Sequence, residues 1–518
     1  MTRTHHWTSV CSFDDLLPDS GVAALLDDRQ IAIFRVGDAV YALDNYDPHS
    51  EANVLSRGLI GDLNGEPVVA SPVYKQHFNL ATGRCVEDAD YSVRAWPARV
   101  TDGKIWIKTQ PLRKTTRRKL VVIGNGMAGM KVVEELLGIP GQPYDITVFG
   151  AEPYPNYNRI LLSPLLAGEK RFDDIVLNPV EWYRDNGVAL HLGDPAVGID
   201  RIRRRVRSQS GIEAQYDRLL LATGSNPIIL PVPGKDLPGV VTFRDLQDVN
   251  AMLAAARTHS KAVVIGGGLL GLEAANALLK QGMRVTVVHL LETLMERQLD
   301  PVAAQLLKQS LERRGLQFHM PAKTTAILGT DRVSAVQFAD GTVIEADLVV
   351  MAAGIRPNID LARATNLRCD RGVLVNDTLQ TFDPCVYAVG ECVQHRNNTY
   401  GLVAPLYEQA RVCATHLAEH GVGQYRGSML STHLKVTGID LFSAGDFLGG
   451  PSSEALVLRD AKRGIYKRIV IENNKLRGAV LYGDTRDGAW YCELMSEGRD
   501  VGPLRDKLIF GEAVATRQ

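Results

Sequence analysis

Lys119-Leu-Val-Val-Ile-Gly-Asn-Gly-Met-Ala-Gly129 and Ala262-Val-Val-Ile-Gly-Gly-Gly-Leu-Leu-Gly271 are two copies of one local pattern in this chain of 518 residues. In each copy an apolar, β-branched run leads into G-x-G-x-x-G, and a helix-forming segment follows. The first glycine allows a tight turn, the second lets backbone approach a pyrophosphate, and the third lets the helix pack closely on the strand. One copy is a weak signal, but two in the same setting predict two dinucleotide-binding α/β domains, which could pass a hydride between them.

The overall composition is that of an ordinary multidomain globular protein. Hydrophobic residues make up 45% of the chain, charged residues make up 23%, and the formal net charge is −1. A balance so close to neutral gives no reason to expect nucleic acid or a membrane surface as a partner. The apolar runs are far shorter than a membrane span, and the first residues lack the apolar core of a signal peptide. We therefore expect a cytoplasmic protein that binds neither nucleic acid nor a membrane.

The seven cysteines have no spacing typical of a metal site, since none of them forms C-x-x-C or C-x-C. Those spacings are typical of zinc sites and of many iron–sulfur sites. We therefore expect no metal ion and no cysteine-based iron–sulfur cluster, and we interpret the thiols as buried or incidental.

The distribution of residue types along the chain predicts several domains. Short β-branched and aromatic runs between turn residues indicate a β domain at the N-terminus, and alternating strands and helices follow it. A basic linker joins these parts; we interpret it as solvated, with contact to an anionic partner as the alternative. The predicted boundaries are 1–110 for the β domain, 111–118 for the linker, 119–245 for the first part of the first dinucleotide-binding domain, 246–360 for the second dinucleotide-binding domain, 361–422 for the remainder of the first, and 423–518 for a C-terminal α+β domain.

The two glycine patterns supply the first candidate binding residues. The helix that follows each pattern offers N–H groups and a partial positive charge to phosphates. At the end of the second strand, where an acid commonly binds the ribose hydroxyls, the first unit has Glu152 and the second has His289. A histidine does not firmly reject a 2′-phosphate, so NADH and NADPH both remain open. The candidates in the glycine patterns are Gly124, Gly126, Met127, Ala128 and Gly129 in the first unit, and Gly266, Gly268, Leu269, Leu270 and Gly271 in the second.

Two later segments resemble motifs of flavoproteins with two dinucleotide-binding domains. Leu219-Leu-Leu-Ala-Thr-Gly-Ser225 is similar to their A-T-G segment, and Cys385-Val-Tyr-Ala-Val-Gly-Glu391 is similar to Y-A-x-G-D, with glutamate where aspartate is usual. The resemblance implies that the first unit binds FAD and the second binds NADH or NADPH. It also implies that the chain returns from the nicotinamide domain near Gly354, which is a further candidate cofactor contact. The implied FAD contacts are Ala222, Thr223, Gly224, Gly390 and Glu391, with Tyr407 and Glu408 as further flavin contacts or, alternatively, packing residues.

Three stretches indicate a more specific family within this group of flavoproteins: Glu152–Glu169, Glu292–Asp300 and Leu402–Ala410. They look like the flavoprotein portion of the large subunit of assimilatory nitrite reductase, and like the related electron-transfer subunits of assimilatory nitrate reductase. This resemblance implies an FAD-dependent NAD(P)H oxidoreductase, with NADH preferred. In the nitrite reductase large subunit, iron–sulfur and sirohaem portions follow, but this sequence lacks the cysteine sets for them. We therefore expect the electrons to pass to a separate nitrate or nitrite reductase catalytic subunit.

The N-terminal domain resembles a Rieske domain that has lost its cluster ligands. Asp47 and His49 stand in the equivalent of the first ligand loop, and Ser71 and Tyr74 stand in the second. A Rieske centre needs C-x-H and C-x-x-H to hold its [2Fe–2S] cluster, and only His49 occupies a ligand position here. The resemblance therefore implies a cluster-free domain, like the small subunit of the same nitrite reductase, with a docking or stabilising role.

Hydride transfer to a flavin needs orientation rather than a protein nucleophile. Flavin disulfide reductases carry C-x-x-x-x-C after the first glycine pattern, whereas this chain has Asn156-Tyr-Asn-Arg159 there. Related ferredoxin and rubredoxin reductases carry P-Y-x-R-x-x-L-S-K, whose lysine pairs with a glutamate on the second dinucleotide helix. Arg159, Ser163 and Glu273 match that arrangement, but Pro164 replaces the lysine. The resemblance implies that Arg159 and Glu273 are catalytic residues and that Arg159 and Ser163 are cofactor contacts; a helix-stabilising acid is the alternative for Glu273.

Two other functions remain open at this point. One is a free-standing NADH-dependent reductase of ferredoxin or rubredoxin. The other is a flavin-bound redox sensor or interaction protein, in which reductase activity is secondary. The near-neutral charge slightly disfavours a ferredoxin partner, since acidic ferredoxins generally bind basic surfaces.

Overall fold

The computed structural model describes residues 6–26, 28–63, 65–88, 91–109, 117–139, 142, 144–421, 423–428, 431–436 and 438–516. The chain divides into two compact units, Met1–Arg117 and Arg118–Gln518. Most of the predicted linker, residues 111–116, lies outside the described residues. Within the part of the chain that the structure describes, no helix is long and apolar enough to cross a membrane.

The first unit consists of short strands. They are β1 His6–Ser12, β2 Ser20–Leu26, β3 Arg29–Val36, β4 Ala39–Asp44, β5 Tyr46–Asp47, β6 Ala52–Asn53, β7 Leu59–Leu63, β8 Glu66–Ala70, β9 His77–Asn79, β10 Ala95–Trp96, β11 Ala98–Thr101 and β12 Lys104–Thr109. They form sheets ordered β1-β12-β11, β10-β4-β3-β2, β7-β8-β9 and β5-β6. Every pairing in these sheets is antiparallel.

Strand β3 explains why this unit folds as layers of strands. Ile31 and Ile33 point into one hydrophobic cluster, whereas Ala32 and Phe34 point into another. Successive side chains of a strand point to opposite faces, so a continuous apolar run is buried on both sides. The predicted all-β character of the N-terminal domain is therefore confirmed.

The second unit begins with a parallel sheet covered by helices. Its elements up to the first crossover are β13 Arg118–Ile123, α1 Met127–Leu137, β14 Tyr144–Phe149, β15 Asn156–Tyr157, α2 Leu162–Leu166, β16 Val176–Asn178, α3 Val180–Asp185, β17 Ala189–His191, β18 Ala196–Asp200, β19 Arg205–Ser208, β20 Glu213–Gln215, β21 Arg218–Leu221 and β22 Ser225–Pro227. The chain returns to this domain with α7 Asp360–Ala364, β32 Val373–Val375, β33 Val386–Ala388, β34 Val393–His395, β35 Asn398–Thr399 and α8 Val403–Leu417.

The parallel sheet has the order β17-β14-β13-β21-β33. From β13 the chain passes through α1 to β14 on one side, and β21 later joins on the other side. The loop that starts at Gly124 therefore lies at the topological switch point, where open α/β sheets bind ligands.

The second dinucleotide-binding domain repeats this plan. Its elements are β23 Val240–Thr242, α4 Leu246–Thr258, β24 Lys261–Ile265, α5 Leu269–Lys280, β25 Arg284–Val288, α6 Pro301–Glu312, β26 Gln317–His319, β27 Thr324–Gly329, β28 Val333–Phe338, β29 Val343–Glu345, β30 Leu348–Met351 and β31 Ile355–Pro357. The parallel sheet is ordered β23-β30-β24-β25-β26, so the loop after β24 again lies at a switch point.

The segment 157–175 packs differently from what its position in the sequence suggests. Tyr157, Leu162 and Leu166 belong to the hydrophobic cluster that also contains Val264 and Leu278 of the second domain. Sequence periodicity shows that α2 has an apolar face but not which domain covers it. This segment brings its polar residues beside α5.

The C-terminal part is an antiparallel sheet with helices. It contains β36 Ser431–Val436, β37 Ile439–Gly445, β38 Glu454–Asp460, β39 Ile465–Glu472, β40 Lys475–Tyr482, α9 Gly488–Glu497, α10 Arg505–Leu508 and α11 Glu512–Ala515, with the sheet order β36-β37-β40-β39-β38. The hydroxyl of Tyr466 donates to Asp300 Oδ2 at 2.9 Å, which ties this sheet to the start of α6. The predicted pair of doubly wound domains and the α+β domain are confirmed.

Candidate functional site

The first glycine loop has the shape that a pyrophosphate requires. Gly124 has φ +113°, and a Cβ on it would lie 2.1 Å from the carbonyl oxygen of Ala222. A Cβ on Gly129 would lie 2.7 Å from the oxygen of Gly124, whereas one on Gly126 would meet nothing within 4 Å. The first and third glycines are thus required by packing inside the protein, and the second leaves open space at the start of α1, at Met127. Together with the buried Ala128, this cradle fits a dinucleotide.

The second glycine loop has the same geometry. Gly266 has φ +131°, and a Cβ there would lie 2.2 Å from the oxygen of Ala352. A Cβ on Gly271 would lie 1.9 Å from the oxygen of Gly266, and one on Gly268 would again meet nothing within 4 Å. Helix α5 begins immediately afterwards at Leu269 and Leu270. The chain therefore contains two cradles of matching design.

The A-T-G segment and the Gly390–Glu391 turn lie together beside the first cradle. A Cβ on Gly390 would lie 2.9 Å from the Cβ of Ala128. Ser225, directly after Ala222-Thr-Gly224, donates through Oγ to Glu391 Oε2 at 2.9 Å. The resemblance implied that these segments meet at one site, and the structure brings them together there.

Arg159 lies in a half-buried network next to this site. Its guanidinium forms an ion pair with Glu152, and its Nη1 donates to the carbonyl oxygen of Arg244 at 2.9 Å. The other Glu152 oxygen accepts the Tyr157 hydroxyl at 2.7 Å. Burial lowers the pKa of Arg159, but Tyr157 and Glu152 outweigh it, so the pKa lies above its ordinary value. Both oxygens of Glu152 are thus engaged inside the protein, and its contact with ribose hydroxyls stays a prediction.

Glu273 lies on α5, facing the segment that holds Ser163. The Ser163 hydroxyl donates to Glu273 Oε2. Burial raises the pKa of Glu273, and the hydrogen bond from Ser163 offsets only part of that shift. The position of the lysine that the resemblance implied is Pro164, and the polar partner of Glu273 in this structure is Ser163. Arg159 and Glu273 are engaged by different partners in this structure.

His289 is turned toward the second glycine loop. Its Nδ1 accepts the backbone N–H of Gly267 at 3.1 Å, and its Nε2 lies 3.1 Å from the carbonyl oxygen of Thr293. An acceptor at Nδ1 and a donor at Nε2 define one neutral tautomer. Glu296 lies 3.4 Å from Nε2. His289, at the position predicted to contact the ribose, therefore accepts a hydrogen bond from the glycine loop and helps to hold that loop in place.

Tyr407 and Glu408 have other partners within the protein, and their predicted contact with a flavin stays a prediction. The Tyr407 ring centre lies 5.9 Å from Lys131 Nζ, and exposed Glu408 accepts the Ser428 hydroxyl. The next residue, Gln409, accepts the Gly390 N–H at 2.9 Å and is fully buried. A polar residue on the apolar face of α8 was the available signal for Gln409.

Gly354 marks the return of the chain from the second domain. It has φ +113° and its carbonyl oxygen accepts the N–H of Ile228 at 2.9 Å. Strand β22 pairs with β31 at this point, so the two crossover segments run side by side. The position predicted for Gly354 as a nucleotide contact stays a prediction.

The residues at the Rieske ligand positions do not fit a [2Fe–2S] cluster. Ser71 donates to Asp47 Oδ2 at 2.5 Å, and both residues are fully buried. His49 Nε2 is buried and has no hydrogen-bond partner among the residues that the structure describes. The His49 ring stacks on Tyr91 at 4.0 Å, and Tyr74 is 60% exposed. A carboxylate, a hydroxyl and a phenol do not replace two thiolates and an imidazole. Among the described residues, no three His, Cys, Asp or Glu side chains are grouped to hold a metal ion.

Comparisons with known proteins agree with this architecture. Residues 118–416 match the family described as pyridine nucleotide-disulphide oxidoreductase, residues 6–108 match the Rieske-like [2Fe-2S] domain, and residues 431–499 match the rubredoxin NAD+ reductase C-terminal domain. The predicted fold class is thereby confirmed in full, including the Rieske-like character of the N-terminal domain.

Two relatives are named as a nitrite reductase and as a nitrate reductase subunit. The chain is 49% identical to a nitrite reductase [NAD(P)H] of Bacillus subtilis over 74% of its length and 48% of the relative, and 43% identical to the assimilatory nitrate reductase electron transfer subunit of that organism over 76% and 51%. It thus spans about half the length of these relatives. The crystal structure of a covalent putidaredoxin reductase–putidaredoxin complex has a TM-score of 0.70 at 25% identity, covering 77% of this chain and 96% of that one. The resemblance drawn from the sequence motifs is confirmed.

Proposed function

The chain belongs to the pyridine nucleotide-disulphide oxidoreductase family, and from this premise we propose that it is an FAD-dependent NAD(P)H oxidoreductase that supplies electrons to a nitrate or nitrite reductase catalytic partner. The observation that carries the proposal is the pair of matching glycine cradles in one unit, which suits a hydride donor and a hydride acceptor. The names of the relatives support the choice of acceptor.

Family membership implies FAD and a nicotinamide nucleotide as cofactors. FAD supplies the chemistry: it accepts a hydride and releases electrons to an acceptor. The protein's part is to orient the two nucleotides, because hydride transfer needs the reacting atoms about 3–3.5 Å apart. The cradles at Gly126 and Gly268 leave room for the pyrophosphates, and the α1 and α5 N-termini supply N–H groups to them.

The cysteines do not suit a dithiol relay between flavin and acceptor. All seven are free, and Asn156–Arg159 occupies the segment where a redox-active pair would stand. Burial raises the pKa of the Cys392 and Cys413 thiols, which keeps them protonated and unreactive. A bound flavin would therefore pass electrons to an outside acceptor without a thiol relay in this chain.

NADH is the proposed donor. Both His289 nitrogens are engaged within the protein, and two acids, Glu292 and Glu296, follow the same strand end. A 2′-phosphate bound there would lie close to this negative charge, whereas a ribose hydroxyl carries no charge to repel.

Replacing Glu296 with arginine is expected to raise kcat/KM for NADPH by about 10-fold, because a repelling charge becomes a charge-assisted donor. The measurement is the ratio of kcat/KM for NADPH and NADH with a dye acceptor. Glu312→Arg, a charge reversal on exposed α6 surface, is the matched control and should leave the ratio unchanged. A wild-type protein that already uses both nucleotides equally would refute the NADH preference.

The first test of the function is an anaerobic titration of the purified protein with NADH, followed by visible absorbance, with metal analysis alongside. Bleaching of one bound FAD per chain, without iron, supports the proposal. If NADH does not bleach the flavin, the proposed reductase function is overturned and the redox-sensor alternative is favoured. The reduced protein is then mixed with nitrate or nitrite reductase, and with rubredoxin or ferredoxin, and the faster acceptor identifies the partner.

A rubredoxin or ferredoxin reductase is the second candidate. The match of residues 431–499 to the rubredoxin reductase C-terminal domain favours it, as does the likeness to a reductase crystallised with putidaredoxin. Fast reduction of such small iron–sulfur proteins, with no reduction of nitrate or nitrite reductases, would establish this candidate instead.

We propose that the N-terminal domain holds no iron–sulfur cluster and that its role is to dock a partner or to stabilise the protein. The Ser71–Asp47 hydrogen bond joins the two loops that a cluster would otherwise tie together. Burial raises the pKa of Asp47, but hydrogen bonds from Ser71 and Ser50 and from the His49 N–H bring it below its ordinary value. The ionised carboxylate is therefore part of what holds these loops.

Substituting alanine for Ser71 is expected to lower the free energy of unfolding by about 1.5–3 kcal/mol near pH 7, the usual range for a hydrogen bond to a charged group. Because the folded-state pKa of Asp47 is depressed, its stabilisation is present above the unfolded-state pKa and is lost as pH falls through the folded-state pKa. Urea unfolding of the full chain at neutral and acidic pH measures this. Ser20→Ala, which removes an exposed hydroxyl, should change the free energy of unfolding little. Equal losses of unfolding free energy in both variants would contradict the stabilising role of the Ser71–Asp47 hydrogen bond.

A further inference from the structure

The turn between β18 and β19 concentrates positive charge. Residues 200–207 read Asp-Arg-Ile-Arg-Arg-Arg-Val-Arg, so five arginines accompany one acid. Two of these arginines form ion pairs with Asp200 and Glu213, but the pairs lie at the surface and are therefore weak. The turn thus presents a positive surface to solvent. Its exposed arginines are Arg203, Arg204, Arg205 and Arg207.

An isoleucine stands at the apex of this turn. Ile202 is 96% exposed, although the backbone around it is held in place. Asp200 Oδ1 accepts the N–H of Ile202 at 3.0 Å and the N–H of Arg203 at 2.8 Å. On the other side of Ile202, Arg201 Nε donates to Asp383 Oδ2 at 2.7 Å. The exposure of Ile202 is therefore a fixed property of the turn and not a result of fraying.

A second exposed apolar side chain lies beside the turn. Phe382 is 49% exposed, and the guanidinium carbons of Arg201 and Arg368 lie 4.8 Å and 5.2 Å from the centre of its ring. These cation–π contacts hold the ring among positive charges at the surface. We call the surface formed by residues 201–205, Arg368 and Phe382 the arginine turn.

The arginine turn lies at the end of the parallel sheet opposite the first glycine cradle. The N–H of Tyr216 donates to the carbonyl oxygen of Arg204, and the N–H of Asp217 donates to that of Lys119, at the start of β13. The glycine loop follows the other end of β13, so the six residues of this strand, about 20 Å, separate the two. An electron acceptor must approach the nucleotide end of the sheet. The arginine turn therefore suits a different partner, which would leave the nucleotide sites accessible.

The net charge of the chain conceals this surface. A net charge of −1 predicts no membrane partner, but charges more than a Debye length away, about 8 Å at physiological salt, are largely screened. A lipid surface that touches the arginine turn therefore responds to the local arginines and not to the whole chain. Anionic lipids attract basic segments, and an apolar side chain can enter the boundary between headgroups and acyl chains. An apolar apex surrounded by guanidinium groups offers both interactions.

We propose that the arginine turn is a docking site for an anionic lipid surface, in which Ile202 enters the headgroup boundary and the neighbouring arginines bind lipid phosphates. A flat anionic surface suits an apolar side chain that stands out from a turn, whereas an acidic protein would need a pocket to receive Ile202. Docking by this end of the sheet leaves the glycine cradle on the side away from the lipid. The inference goes beyond the proposed function and does not depend on it, because no cofactor takes part.

The test is co-sedimentation of the full-length protein with vesicles of equal parts phosphatidylcholine and phosphatidylglycerol, compared with vesicles of phosphatidylcholine alone. Wild type should bind the mixed vesicles in preference and should lose this binding at high salt. Arg203→Gln combined with Arg204→Gln is expected to weaken binding about 25-fold, since each arginine near an anionic surface contributes about 5-fold. Ile202→Asn keeps every charge and is expected to weaken binding about 10-fold.

A matched control removes the same amount of charge from another surface. Arg463→Gln combined with Arg486→Gln changes side chains that are 78% and 87% exposed in the C-terminal domain. This control should bind the mixed vesicles as wild type does. The variants of the arginine turn should keep the wild-type melting temperature, because the substituted side chains are exposed.

Several outcomes would overturn the proposal. They are a wild type that binds neither kind of vesicle or both equally, an Ile202→Asn variant that binds as tightly as wild type, and equal losses in the control and in the double arginine variant. Poly-L-glutamate is the probe for the competing partner. If wild type binds it but not the vesicles, and the double arginine variant loses that binding, the turn serves an acidic protein and the lipid proposal is wrong.

Discussion

Substituting valine for Gly271 is expected to slow reduction of the bound flavin by NADH about 100-fold or more, while FAD stays bound. A Cβ at this position would lie 1.9 Å from the carbonyl oxygen of Gly266, so the loop and α5 must move apart. That movement displaces the backbone that faces the nicotinamide nucleotide, and a displacement of about 1 Å is enough to cost this factor. Stopped-flow absorbance of the flavin under anaerobic conditions measures it.

The chain contains its own matched control for this prediction. Gly129 occupies the same place in the first cradle, where a Cβ would lie 2.7 Å from the oxygen of Gly124. Gly129→Val should lose FAD itself, whereas Gly271→Val should keep a flavin that dithionite still reduces at the normal rate. Loss of FAD from Gly271→Val, or normal reduction by NADH, would contradict the assignment of one nucleotide to each cradle.

Replacing Lys467 with methionine is expected to destabilise the C-terminal domain by about 3–5 kcal/mol, the usual cost of breaking a buried ion pair from one side. Lys467 Nζ lies 3.2 Å from Asp484 and 3.1 Å from Asp487, and its side chain is only 6% exposed. Arg486 and then Lys467 hold the pKa of Asp484 well below its ordinary value. Without the lysine, two carboxylates face each other with little solvent.

Arg486 provides the control for this variant. It contacts the same Asp484, but its side chain is 87% exposed, so Arg486→Met should cost no more than about 1 kcal/mol. Chemical unfolding of the full chain, followed by circular dichroism, compares the two. The lowered pKa of Asp484 means that its stabilisation is lost as pH falls through the folded-state value, so the difference between the variants should shrink in acid. Equal destabilisation by both variants would refute the role of burial.

The sequence by itself determined the features that depend on residues close together in the chain. The tight turns at Gly124 and Gly266 and the helices that follow them are set by local sterics, so a short pattern was sufficient to predict them. The replacement of Rieske ligands at Asp47 and Ser71 was equally visible, because ligand chemistry follows from residue type. These local signals were sufficient to predict the fold class, the two glycine cradles and the family resemblance.

Only the tertiary structure decided which distant side chains meet. Arg244 lies in no glycine pattern, and its pairing with Glu391 arises because the segment between β23 and α4 and the turn after β33 both approach the A-T-G segment. In the same way, the packing of segment 157–175 onto α5 gives Glu273 its Ser163 partner, and the rotamer of His289 turns it toward Gly267. Such contacts depend on how helices and sheets pack and on which side-chain conformation that packing permits, and a one-dimensional pattern contains neither.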